Sequence, residues 1–183
     1  MVDRLTPSAI GFGCLNANIC VYIANTPPLV EYQQLKVVTP LTQGEIFAIG
    51  QQCGNGWRKV FNVYAKLLYA LDSTLFSFST LAPSWQQYRD QYLLQPKSGT
   101  ALLFSSPDVE IMNLTAQSIH IIMGRTYAKK LIALGELIEP LTWLDEEFAF
   151  NRNSRVVVCP YFDYRQLSNI KISKLSEIIK ALQ

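Results

Sequence analysis

Histidine is almost absent from this chain. There is one, His120, and the four cysteines, Cys14, Cys20, Cys53 and Cys159, include no C-x-x-C pair. Zinc sites and cysteine-held iron–sulfur clusters need such donor sets, so neither a metal nor a cofactor is expected. Charge is scarce as well. Asp, Glu, Lys and Arg make up 16% of the 183 residues, where an average globular protein has about 25%. Sixteen basic residues against 14 acidic ones leave a formal charge of +2, which supplies neither the field of a dedicated DNA clamp nor an acidic shell. No apolar run approaches the roughly 18 residues of a membrane span. The start, MVDRLTPSAIGFG, lacks the basic-then-apolar plan of an export signal. The expectation is a soluble cytoplasmic protein with no membrane partner, its cysteines reduced and acting as small hydrophobes.

What the chain does have is apolar bulk. Hydrophobic residues are 49% and aromatics 11% of the total, enough for a large core and too much for disorder. No repeat of 20 to 50 residues and no linker divides it, so residues 1–183 are expected to form a single α/β domain. Asn18 to Ala24 is β-branched or aromatic at most positions and is stopped by Pro27-Pro28, which predicts a buried strand. TALLFSS, IHIIMG and RVVVC predict three more, at Thr100–Ser106, Ile119–Gly124 and Arg155–Cys159.

Between the strands the apolar spacing changes to that of helices. Trp57, Val60, Phe61, Tyr64, Leu67, Leu68 and Leu71 follow the i, i+3, i+4 rhythm, and Ser84 is placed to cap a helix over WQQYRDQYLL. Arg125 opens a helix expected to run to Pro140, and Ile172, Leu175, Ile179 and Leu182 mark a last one. Glycines punctuate QGEIFAIGQQCGNG, and its end, Gln51–Gly56, reads first as a glycine-rich turn. Uniformly apolar strands alternating with helices predict a three-layer α/β/α sandwich with a mainly parallel central sheet. Asn18–Ala24, Ile119–Met123 and Arg155–Val158 should be parallel neighbours in it. Ligands collect beyond the carboxyl ends of such strands, which directs attention to Asn25–Leu29, Gly124–Arg125 and Pro160–Asn169.

Four short motifs in order resemble the uracil-DNA glycosylase superfamily. VYIANTPP stands where that family has a strand ending in a G-E-A-P-G type loop. GEIFAIGQQCG offers Phe47 near the position of a base-stacking phenylalanine. IHIIMGRTYAKKL matches a strand, then Gly-Lys-x-Ala, at Gly124, Arg125 and Ala128. RVVVCPYFDYRQLSN aligns Cys159-Pro160-Tyr161 with His-Pro-Ser. The resemblance implies a uracil-DNA-glycosylase-like fold. It also implies a water positioned by Asn25 or Thr26 and a leaving base stabilised from position 159. Cysteine in place of histidine is a weak donor there, so efficient excision is not expected.

The expected ligand is a nucleobase-containing or similar planar molecule at the strand ends. The candidate contacts are Asn25, Thr26, Phe47, Arg125, Cys159, Tyr161, Asp163, Tyr164, Arg165 and Asn169. The loop 160–169 mixes aromatics with hydrogen-bonding groups, which suits stacking and weak, salt-sensitive binding of single-stranded DNA. Each residue has a plainer use: Tyr161, Phe162 and Tyr164 would pack the strand end, and Ser168 or Asn169 would cap a helix. Asp145-Glu146-Glu147 reads as surface charge on a turn or short edge element. His120 and Cys159 fall at opposite ends of their strands, which argues against a catalytic pair. An interaction or scaffold protein, homo-oligomeric or otherwise, using loop 160–169 as its interface is the alternative; a hydrolase or transferase around Asn25, Cys159 and Asp163 is a third reading.

Overall fold

The computed structural model describes residues 9–107, 112, 117–137 and 140–183. In chain order the elements are β1 (Gly11–Gly13), β2 (Ile19–Tyr22), α1 (Val30–Gln33), β3 (Val38–Thr39), α2 (Glu45–Gln52), α3 (Asn55–Ala70) and a 3-10 turn (Phe78–Thr80). There follow α4 (Trp85–Gln91), β4 (Thr100–Leu103), β5 (Ile119–Met123), α5 (Arg125–Ala133), β6 (Thr142–Trp143), β7 (Ala149–Asn151), β8 (Val156–Cys159) and α6 (Asn169–Ala181). The strands form one eight-stranded sheet in the order β3-β1-β4-β2-β5-β8-β7-β6.

The centre of the sheet follows from uniformly apolar sequence. ICVY, TALL, IHIIM and VVVC are buried at every position, as strands covered on both faces must be. β4, β2, β5 and β8 run parallel, with Ile19, Cys20, Val21 and Tyr22 opposite Ile119, His120, Ile121 and Ile122. The segments expected to be parallel neighbours are therefore β2, β5 and β8. Alternation along β2 divides the interior. Ile19, Val21 and Ile23 join Val60, Phe61 and Tyr64 of α3 and Leu175 and Ile179 of α6 in the larger core. Cys20 and Tyr22 face the other way, towards Ala128 and Leu131 of α5.

Three expectations are corrected. The sheet is mixed: β1 is antiparallel to β4, β7 to β8 and β6 to β7, so parallel pairing holds at the centre and in the outer pair β1–β3. The connections after β6 and β7 are too short for a crossover and must reverse the chain. The glycine-rich stretch 51–56 turns only at Cys53 and Gly54 (φ 88°), because Gln51 and Gln52 end α2 and Asn55 and Gly56 begin α3. The helix from Arg125 ends at Ala133, where Gly135 (φ 73°) turns the chain before Pro140 is reached. The predicted cap is present: Ser84 Oγ accepts from the Gln87 N–H at 3.2 Å.

Tyr64 ties the principal helix to the sheet. Its buried hydroxyl donates towards the carbonyls of Ala101 in β4, at 2.9 Å, and Ile19 in β2, at 3.2 Å. A Tyr64→Phe variant leaves both carbonyls without that donor and is expected to lose about 1–2 kcal/mol. Urea unfolding would show this as a lower midpoint with an unchanged slope; an unaltered midpoint would refute the role.

Candidate ligand-binding site

The sheet order creates a crevice. The chain passes from β2 to β4 on one side and then to β5 on the other, so its winding reverses between β2 and β5, and loops leaving their carboxyl ends diverge. A cavity of about 550 Å³ opens at that place. Ala24 after β2, Met123 and Gly124 at the end of β5, and Pro160 and Tyr161 after β8 form its floor and sides. Arg125, Thr126, Tyr127 and Lys130 come from α5, Gln166 from the loop after β8, and Glu146 and Glu147 from the turn between β6 and β7.

Helix α5 begins at this cavity. Its first backbone bond runs from the Ala128 N–H to the Gly124 carbonyl, at 3.0 Å, so the N–H groups of Arg125, Thr126 and Tyr127 precede the helical ladder. Gly124, at φ 102°, turns the chain from strand to helix in a conformation that few side chains tolerate. The Arg125 guanidinium lies 5.8 Å from the ring centroid of Trp143, a cation–π contact that holds it beside β6. Burial pushes the Tyr127 hydroxyl up to about 12, with Glu136 adding to the effect, so it enters the site as a neutral phenol.

Opposite α5, the Tyr161 hydroxyl donates to Asn25 Oδ1 at 3.2 Å and joins the loops after β8 and β2. Burial raises the pKa of Tyr161, and Asp163 adds to the rise. The acidic turn is ordered by its own first residue: Asp145 Oδ1 accepts from the N–H groups of Glu147 (2.7 Å) and Phe148 (2.8 Å). Lys174 pairs with Asp145, holding its carboxyl down at about 2, and Lys171 pairs with Glu147 at 2.7 Å.

The expected site residues divide accordingly. Arg125 and Tyr161 line the cavity and Asn25 is bonded to its wall. Asp163 is an anchor instead, its Oδ2 accepting from Lys59 of α3 at 2.8 Å and its Oδ1 from the Arg165 N–H at 2.9 Å. Lys59 also sits 4.8 Å from the ring centroid of Tyr164. Tyr164, Arg165 and Asn169 are exposed and Thr26 is half-buried, all outside the lining. Phe47 projects from α2, 68% exposed, into separate clefts bordered by Ile46 and Asp90. Cys159 is fully buried in the α3 side of the core; its thiol donates to the Pro160 carbonyl, at 3.4 Å, and burial pushes its pKa well up.

His120 and Cys159 stand three register positions apart, on opposite faces of the sheet. His120 instead hydrogen-bonds Tyr22 Oη through Nδ1, at 3.0 Å. Sequence reasoning gave no site role to Glu146, Glu147 or Tyr127, whereas Gln166, read as a hydrogen-bonding residue of loop 160–169, does line the cavity. A three-residue run of acids beside a short strand gives no indication of which one faces inward.

Among the described residues no helix is long and apolar enough to cross a membrane. Residues 10–180 match the model of a family described as one of unknown function, DUF6942. No curated protein and no solved structure matches the chain.

The Lys59–Asp163 pair predicts a pH effect. Lys59 holds the Asp163 carboxyl below its ordinary range, so the folded form binds this proton less readily than the unfolded one. The stabilisation is complete above the ordinary value of about 3.9 and is lost as pH falls through the lowered folded value. Asp163→Asn should cost about 1 kcal/mol at pH 7, and the gap from wild type should close as both are titrated in denaturant towards pH 2. A gap that is constant with pH would rule out the pair as its source.

Proposed function

The chain belongs to the DUF6942 family, whose function is unknown, and we propose that it binds a small nucleobase-containing or similarly planar, anionic ligand at the C-terminal ends of its strands. The observation that carries this reading is the cavity of about 550 Å³ at the winding reversal, bordered by Arg125 and Lys130 on one side and Tyr161 on the other. Its size falls in the range of small-molecule sites. Two cations and the N–H groups opening α5 favour an anionic group, while the ring of Tyr161 offers a face to a flat ligand. The likeness to the uracil-DNA glycosylase superfamily supports the same location, since Gly124 and Arg125 are its best-matching residues.

Efficient base excision is not part of the proposal. The position matching the family's histidine is Cys159, whose thiol is in the core and bonded to a carbonyl. Losing one preorganised donor to a leaving group costs on the order of 100- to 1000-fold in rate. Weak, salt-sensitive binding of single-stranded DNA at the same face remains part of the reading, in keeping with a charge of only +2. So does a soluble, cytoplasmic setting.

One observation favours the second reading, a protein interface on loop 160–169. Ile170, beside that loop at the start of α6, is 84% exposed, and Tyr164 is 51% exposed.

Calorimetric titration with nucleoside monophosphates tests the first reading. Binding by wild type that weakens at least tenfold in Arg125→Ala, as expected for loss of a charge-assisted contact, would support it. Failure of every nucleotide to bind, with Ile170→Asp or Tyr164→Ala disrupting self-association, would transfer support to the interface. Purified protein should also release no uracil from uracil-containing DNA on the timescale of an active glycosylase, and rapid release would overturn that part.

A further inference from the structure

The turn between β6 and β7 carries three consecutive carboxylates, and the structure treats them differently. Asp145 is neutralised by Lys174 and engaged by two backbone N–H groups of its own turn. Glu147 is neutralised by Lys171 at 2.7 Å. Glu146 is exposed, lines the cavity and forms no ion pair among the described residues. Arg125 and Lys130 line the same cavity and likewise have no carboxylate partner among the described residues. The cavity thus presents one unneutralised acceptor and two unneutralised donors, held on different elements. Arg125 is kept apart by its contact with Trp143, and the turn bearing Glu146 is pinned to α6 by the two lysines.

A ligand complementary to this arrangement is anionic at one end and offers hydrogen-bond donors at the other. We infer that Glu146 is a specificity-determining residue that selects a purine nucleotide with adjacent N–H donors, a guanine nucleotide, over a uracil nucleotide. The inference rests on the ligand reading proposed above and deepens it. An ionised carboxylate only accepts hydrogen bonds. Guanine presents N1–H and the N2 amino group side by side, a pair of parallel donors that one carboxylate can accept together. Uracil presents a single N3–H flanked by two carbonyl oxygens, which face the carboxylate with like polarity. The phosphate goes to Arg125 and Lys130, where a bidentate guanidinium contact is available. A base edge that covers Glu146 and turns carbonyl oxygens towards it leaves the carboxylate stripped of water and under-paired, a penalty that discriminates against uracil.

The test is titration of wild type, Glu146→Gln and Arg125→Ala with guanosine and uridine monophosphates, with thermal melting to confirm that each variant folds as wild type. The expected result is at least tenfold tighter binding of the guanine nucleotide by wild type. In Glu146→Gln, whose carboxamide both donates and accepts, that ratio should fall to within about threefold, because guanine binding weakens while uridine binding does not. Equal binding of the two nucleotides, or a ratio that survives Glu146→Gln, overturns the inference; if Arg125→Ala still abolishes binding, the proposed site stands without it. Binding of neither nucleotide overturns the inference and the ligand reading together.

Discussion

The in-register parallel pairing of β2 with β5 and of β5 with β8 is the constraint on which the rest of the molecule depends. Tyr22 stands opposite Ile122, Ile122 opposite Val158, and Met123 opposite Cys159, so the three strands end nearly level. Level ends bring Ala24, Gly124 and Pro160 to one rim, and the winding reversal between β2 and β5 keeps helices from covering it. A slip of one residue would turn every core side chain of a strand to the wrong face, so the two cores that bury both faces of β2 also fix where its loop emerges. The cavity is thus a by-product of core packing.

Charge is used sparingly, and most of it near this rim is structural. Lys59 anchors Asp163, Lys171 holds Glu147 and Lys174 holds Asp145, three ion pairs that fasten the loop after β8 to α3 and the acidic turn to α6. Exposed pairs of this type contribute little individually. Their importance is geometric: they set two walls of the cavity against α5, whose own position follows from Ala128 and Leu131 packing on the sheet. The low charge content seen in the sequence therefore reflects a surface where paired groups position loops, with only a few side chains left over around the cavity.

Legibility in the sequence followed burial. The four central strands and α3 could be read because strands covered on both faces must be uniformly apolar, and because a 16-residue amphipathic helix has room for a clear period. β1, β3, β6 and β7 are two or three residues long, shorter than the periodicity needed to see them, and their pairing, parallel for β1 with β3 and antiparallel for β1 with β4 and through β6, β7 and β8, depends on partners distant in sequence or on brief turns. The same distinction runs through the site. Arg125 and Tyr161 were legible because they directly follow readable strands. Glu146 was not, since its placement depends on the β6–β7 hairpin, and the irregular course of loop 160–169 sends Gln166 to the cavity and Arg165 away from it. Phe47 was singled out by motif spacing alone, and helix α2 places it on another face.

Alternation along β8 explains why Cys159, an expected site residue, does not reach the cavity. Val157 and Cys159 face α3 and α6, while Val156 and Val158 face α5. A side chain at 159 is therefore committed to the larger core by the same period of two that orders the strand. The first residues free to address the cavity are Pro160 and Tyr161, where the extended conformation ends. Histidine at 159, beside its register partner Met123, would have to bury its ring in the larger core or break the register that levels the strands. The small apolar thiol meets that packing demand, and the chemistry of the cavity is left to Tyr161, Arg125 and the side chains of the hairpin turn.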